Sequence, residues 1–316
     1  MDKNPNIFRP GGVDGIEDWF SALEAEREEL GYFQPLGPDH SAIFTDEDPV
    51  LFVTFETLDT VYQGDLSDRP LGFNLAKGKG WSQLCILANH DTWFREPRVY
   101  GYFDRLVDDG FFEDFDHVVF YGEGMCGYAA AAYSVAAPGA QVITVQPQAT
   151  LDPSIAGWDH RFAHMRRTDF STRYGFAPDM IDAANKAFVI YDPFVELDAV
   201  HAALYTRRNV VKLPCRHLGR SIGDSLIRMK ILEPIIAAAM KGELDHEEFY
   251  RLFRQRRRFP RYLKRLLSAT QAADRPVLTA RLCKHVLARG NSPRFEDALE
   301  EALSQIRERG ILEPEG

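Results

Sequence analysis

The sequence predicts an α/β fold: a mostly parallel sheet with helices on both faces, followed by an all-helical C-terminal appendage. Three observations carry this. Between residues 49 and 214, short continuous apolar runs alternate with helical stretches, the mark of a parallel sheet buried on both faces. Within that series, "HVVFYGEGMCGYAAAA" (117–132) breaks an apolar run at a glycine-rich corner and passes straight into an alanine-rich helix. From about residue 222 the strand pattern stops and only helices follow. The expected units are therefore 1–222 and 223–316.

Length and composition agree with one large α/β domain and a smaller appendage. The chain has 316 residues, 45% of them hydrophobic and 12% aromatic, enough for a sizeable core. Its formal net charge of −10 argues against bulk binding to nucleic acid or anionic membranes, while leaving room for a local basic patch. The four cysteines, Cys85, Cys126, Cys215 and Cys283, are scattered and form no CxxC pair, which argues against a disulfide framework or a structural zinc. A reducing, cytoplasmic setting is expected, with no signal peptide, transmembrane segment, metal or cofactor.

The elements follow in order. "IEDWFSALEAEREELG" (16–31) has the spacing of an amphipathic helix stopped by Gly31. "SAIFTD" and "PVLFVTFETL" (49–58) are strands rich in β-branched and aromatic residues. The stretch 64–80, with "GDLSDRPLG" and "KGKG", reads as a loop. "WSQLCILAN" (81–89) is another strand, followed by a helix over 99–110. Strand 117–121 leads into helix 125–136, and strand "QVITVQ" into a long loop. "AFVIYD" (187–192) precedes a helix over 195–205, and "NVVKLP" (209–214) closes the sheet. The remainder reads as about four helices whose lengths are weakly like those of tetratricopeptide hairpins, without a consensus.

The corner at 122–127 has the form of a nucleophile elbow, a tight strand-to-helix turn that needs small residues around its tip. Gly122 takes the leading glycine position, Gly124 the nucleophile position and Met125 the position whose N–H would point into an oxyanion hole. Cys126 stands where the second glycine is usual, and Gly127 follows. "G-E-G-M-C-G" also fits a dinucleotide fingerprint literally. That fingerprint belongs on the first strand of its unit, with an acidic residue about 20 positions on, and this corner comes after several strands. In the chain order nucleophile, acid, histidine, the other two positions fall to Asp192, at the end of "AFVIYD", and His217, in "LPCRHLGRS".

On these residues the stretch from about 45 to 225 resembles the α/β-hydrolase superfamily. It is similar to a bacterial branch associated with polysaccharide genes, in which "PQ…DP…W…R" follows the elbow helix; here "TVQPQATLDPSIAGWDHRF" (144–162) reproduces it. The resemblance implies acyl ester chemistry in members with serine at the elbow. Gly124 has no side chain, so that chemistry has no nucleophile here.

Other residues could line a pocket or substitute for the missing group. Cys126 sits at the first turn of the elbow helix, where the macrodipole could lower a thiol pKa, although packing explains it as well. Glu123 could act as a general base on water, and Ser154 reads as a loop-capping hydroxyl. Glu56, near the end of its strand, and His90, Asp91 and Trp93 in "NHDTWFREP" (89–97) fall at the carboxyl edge, where open α/β sheets bind ligands. Arg166, Arg167 and Arg173 in "RRTDFSTRYGF" (166–176) lie where a lid would cover a substrate, and could grip an anion or simply pair with acidic neighbours. "RLFRQRRRFPRYLKR" (251–265) carries eight basic residues in fifteen, either a solvated face or a dock for an anionic partner.

Two functions stay open. One is a non-hydrolytic relative that binds a small-molecule or glycan ligand, docks a protein through its helical tail and serves in surface-polysaccharide assembly. The other is an enzyme on acyl or glycan-linked substrates, with His217 as base held by Asp192 and no serine nucleophile.

Overall fold

A computed structural model describes residues 31–63 and 70–311 of the chain. The helix expected over 16–31 lies outside them except for Gly31, which instead opens a strand. Eight strands form one sheet: β1 (Gly31–Pro35), β2 (His40–Thr45), β3 (Val50–Thr57), β4 (Ser82–Ala88), β5 (His117–Glu123), β6 (Gln141–Val145), β7 (Lys186–Tyr191) and β8 (Val210–Pro214). Their order is β1-β2-β4-β3-β5-β6-β7-β8. β2 runs antiparallel to β1 and β4, and every other pairing is parallel. This is the expected mostly parallel sheet with helices on both faces.

Alternation along the central strands sorts their side chains onto the two faces. Leu51, Val53, Phe55, Phe120, Val142 and Val189 point to one side, where they meet the helix Pro97–Asp108 and the elbow helix Met125–Tyr133. Every residue of that elbow helix is buried. Its run of alanines allows the helix axis to approach the strands closely, as suits a helix apolar all round. Phe52, Val119, Ile143, Phe188 and Ile190 point to the opposite side.

That second face is covered by the helices Ile222–Arg228, Leu232–Met240 and His246–Phe253, through Ile222, Leu226, Ile235, Ile236 and Phe249. The helices Pro260–Ala272, Pro276–Leu287 and Pro293–Glu308 pack instead around small clusters of their own, with Leu263, Leu267, Cys283 and Phe295 in one and Ala280, Ala302 and Ile306 in the other. The tail is thus helical as expected, and more finely divided. Lys230, at φ 57, ends one turn before Leu232 starts the next helix. Pro260, at the first position of its helix, separates the basic stretch into a helix, the 3-10 segment Arg254–Arg258 and a second helix.

Several described elements depart from the sequence reading, among them the short helices Leu58–Gln63, Pro153–Ala156 and Ala177–Met180. β1 was not expected. The segment 64–80 was read wholly as loop, yet it contains the helix Leu71–Ala76. That helix lacks a local cap: its Leu71 and Gly72 amides donate to the Glu56 carboxylate at 2.6 and 2.9 Å, across from β3. Glu56 is therefore a buried cap rather than a pocket wall, and burial raises its pKa.

Because Ile235, Ile236 and Phe249 cover one face of the sheet, a chain ending at residue 222 should lose its cooperative thermal transition by circular dichroism. A chain ending at residue 274 should keep it. A sharp transition in the shorter chain would show that the sheet does not need that helical layer.

Candidate functional site

The corner after β5 is a true strand–turn–helix elbow. Gly124 stands at its tip with φ 58 and ψ −122, in a region that favours glycine. Its amide donates to the Val145 carbonyl at 2.8 Å and its carbonyl accepts from Tyr128 at 2.9 Å, so the tip is held from both sides. Gly122 is required for another reason. A Cβ there would lie 2.1 Å from the Cys126 carbonyl oxygen, because the chain folds back on itself. At Gly124 a Cβ would meet nothing within 4 Å. The elbow has open space over its tip and no side chain to fill it.

The neighbours of the tip are tied to distant elements. Met125 Sδ accepts from the Trp93 amide at 3.0 Å, while the Met125 N–H, at the first helical position, has no intrahelical acceptor. Cys126 is buried, and its thiol is pushed well above the usual range by burial and then by the Glu56 and Glu123 charges. It packs; it is not a poised thiolate. Glu123 accepts from the Gly223 amide at 3.1 Å, which joins the elbow to the helix Ile222–Arg228. Burial raises its pKa to about 7, against the lowering effect of that hydrogen bond.

Asp192 and His217 reach the same carboxyl edge, just beyond β7 and β8. Their chain order was legible, but the expected hydrogen bond between them is not made. Asp192 accepts from the backbone amides of Phe194 at 3.0 Å and Gly219 at 2.6 Å. The His217 ring instead stacks on Phe194, with centroids 4.6 Å apart and planes 20° apart. Burial lowers the His217 pKa, opposed by Asp192 and assisted by Arg216. His217 has φ 66, a conformation imposed by the tight loop after β8.

The loop after β4 is built around two aromatic residues in left-handed conformations, Trp93 at φ 56 and Phe94 at φ 55. Trp93 is fully buried against Tyr128, Phe162 and Phe170, so it belongs to the core rather than to a pocket lining. His90 pairs with Asp39 and Asp91 with His164, both at 3.1 Å and both exposed. Thr92 Oγ1 meets His40 Nε2 at 2.7 Å. His40 is 2% exposed and its Nδ1 has no partner among the described residues.

Of the three arginines read as a grip on an anion, Arg173 is engaged with Asp104 and with the Tyr174 hydroxyl. Arg166 contacts His160, and Arg167 is exposed. Arg95, which the sequence reading overlooked, holds this loop down by donating to the Asp169 carbonyl and to Thr172 Oγ1. Ser154 is not the cap expected of it: Asp152 caps the short helix Pro153–Ala156 by accepting from the Ser154 amide at 2.8 Å, and the Ser154 hydroxyl donates to the same oxygen at 2.7 Å.

The residues most clearly missed form a buried ion network under the motif at 144–162. Asp159 and Asp198 are both bound by Arg161, the latter at 2.6 Å. His201 Nδ1 accepts from the Ala149 amide, which leaves Nε2 to donate to Asp159 at 3.0 Å. Burial acts to raise the Asp159 pKa, but hydrogen bonds from Arg161 and His201 outweigh it and hold the carboxyl below its ordinary value. Gln146 donates to Asp198 at 2.7 Å and accepts from the Ile222 amide at 3.0 Å. The one available signal was the tight clustering of Trp158, Asp159 and Arg161 in the sequence. Among the described residues, no group of His, Cys, Asp and Glu side chains could hold a metal ion, and no helix is long and apolar enough to cross a membrane.

No family model matches the chain, and no curated protein matches it. Several solved structures share its general architecture. An esterase from Pyrobaculum calidifontis aligns over 74% of this chain and 93% of its own at 15% identity and TM-score 0.45. Carboxyl esterase 2 from Tuber melanosporum aligns over 69% and 84% at 13% identity and TM-score 0.43. The capsule O-acetyltransferase of Neisseria meningitidis serogroup A aligns over 62% and 91% at 11% identity and TM-score 0.41. At identities and TM-scores this low, these likenesses say nothing about activity or substrate.

His40 supplies a test of how the loop after β4 is held. Burial pushes its pKa down from 6.5 to about 4. As pH falls below 6.5 the unfolded chain takes the proton first, so stability present at pH 7 is lost on the way to pH 4. Between pH 7 and 4.5 this single group should remove about 2 kcal/mol. Urea unfolding of the protein and of His40→Gln at both pH values isolates it, since Glu123 and His201 titrate in both proteins. A difference between the two proteins that is the same at both pH values would contradict this account.

Proposed function

We propose that the protein is a non-hydrolytic α/β-hydrolase-fold protein that binds a ligand over the elbow rather than cleaving one through a covalent intermediate. The observation that carries the reading is the elbow tip. Gly124 keeps the strained turn and the open space of a nucleophile position while offering no hydroxyl. The state of Asp192 supports it. A triad acid orients its histidine, whereas here the Asp192 oxygens accept from the Phe194 and Gly219 amides and make no hydrogen bond to His217.

The resemblance of "TVQPQATLDPSIAGWDHRF" to the polysaccharide-associated branch points to a hydroxyl-rich glycan as ligand, in surface-polysaccharide assembly. The reading places the protein in the cytoplasm, which four free, buried cysteines suit. It assigns the C-terminal helices to a protein partner.

A second reading has one observation in its favour. His217 is half-buried, its pKa is lowered by burial, and it is close enough to Asp192 to feel its charge, so it could take a proton from a bound substrate without any serine. In that case the protein is an enzyme on acyl or glycan-linked substrates.

A fluorophosphonate probe separates the readings from ordinary hydrolysis. It reacts with a hydroxyl that a neighbouring base activates. The wild type should stay unlabelled and inactive on aryl esters. Gly124→Ser should gain at most weak labelling, because Asp192 does not orient His217. Robust labelling of the wild type, mapped to any serine or to Cys126, would overturn the non-hydrolytic reading. Loss of activity toward a glycan ester on His217→Ala, with binding retained, would favour the second.

A further inference from the structure

Beside the elbow, the loop after β8 carries a cluster of cations that the reading above does not use. Arg216 and Arg220 flank His217 and Gly219, and both are exposed. The guanidinium of Arg265, from the helix Pro260–Ala272, lies against Gly219: a Cβ there would sit 2.2 Å from one of its nitrogens. Arg216 is near enough to His217 to lower its pKa. Two elements remote in sequence therefore bring three arginines to one short loop, Arg216 and Arg220 on it and the Arg265 guanidinium against it.

Their lack of partners is the informative feature. Arginines nearby take carboxylates: Arg251 pairs with Glu248, and Arg228 and Arg261 share Asp224. Among the described residues, Arg216, Arg220 and Arg265 have no carboxylate within ion-pair distance, in a chain whose net charge is −10. Like charges held together without a counter-ion repel one another, and guanidinium forks match the oxygens of phosphate or sulfate.

An aromatic ledge adjoins them. Phe194 stacks on His217 with one face and is 63% exposed, which makes it the most exposed large hydrophobic side chain among the described residues. Tyr262 lies behind the histidine, with ring centroids 6.4 Å apart. An exposed ring of this kind beside unpaired arginines fits a ligand with both a ring to stack and an anion to bind.

We propose that Arg216, Arg220 and Arg265 form a binding site for the phosphate or sulfate of a ligand whose ring stacks on the open face of Phe194. The site lies on the loop that carries His217 and does not depend on whether the elbow catalyses. It also gives the basic stretch 251–265 a function through one residue, Arg265, rather than through its charge as a whole.

Titration calorimetry on the full chain at low ionic strength tests this. The probes are inorganic phosphate, inorganic sulfate, a hexose phosphate, a nucleoside monophosphate and the two unphosphorylated parents. One of the phosphorylated ring ligands should bind saturably and more tightly than inorganic phosphate, and its parent should not bind. Which of the two wins identifies the ring as sugar or base. Arg216→Gln and Arg265→Gln should each weaken that binding about tenfold, the effect expected from one charge-assisted hydrogen bond. Phe194→Ala should weaken the ring ligand and leave inorganic phosphate unchanged. Arg207→Gln, whose ion pair with Asp179 lies at the other edge of the sheet, is the control and should behave as wild type. No saturable binding at millimolar concentrations, unchanged affinity in both arginine variants, or an equal loss in Arg207→Gln would each overturn the proposal.

Discussion

The carboxyl edge of this sheet depends on one buried set of charges. Asp159, Arg161, Asp198 and His201 bind one another beneath the long connection between β6 and β7. Both carboxylates and the imidazole are all but fully buried, and Arg161 keeps only 24% of its side chain exposed. Such a network is costly to desolvate and adds little net stability, but losing one member strands the others and costs about 3–5 kcal/mol. Its value here is positional. It pins a connection made only of short helical turns to the helix Glu196–Leu204, and Gln146 extends the same set to the start of the helix after His217. The floor of the candidate site and its walls are thereby placed by one group of side chains.

The elbow shows how geometry and chemistry can part. Close approach of Gly122 to the Cys126 carbonyl and the positive φ at residue 124 constrain the backbone alone. Both constraints persist whatever the turn presents to a ligand. The open space over Gly124 is still bordered by the Met125 N–H, which has no intrahelical acceptor, and by the buried Glu123 one residue before it. Binding needs no more than these.

Much of the sheet was legible because a short continuous apolar run is a local signal. β3 to β8 and the elbow could be read directly, and so could the chain order of Gly124, Asp192 and His217. What escaped depends on partners far along the chain. β1, a short strand between a glycine and a proline, is specified by pairing with β2 rather than by its own composition. The helix Leu71–Ala76 is capped by Glu56, which no local motif announces. Asp91 was visible as a candidate, but its partner His164 stands 73 positions away. Asp192 was found at the right strand end, whereas the orientation of its oxygens toward Phe194 and Gly219 is a property of the folded loop.

The carboxylate of Glu123 couples the elbow to protons as well as to the C-terminal layer. With a pKa of about 7, it is divided between charged and neutral forms under ordinary conditions. A charged molecule that came near this carboxylate would shift that balance. An anion favours the protonated form and draws a proton from solution, whereas a cation expels one. Capture of a charged ligand beside Glu123 would therefore exchange a proton with solution, and its apparent heat would vary with the ionisation enthalpy of the buffer.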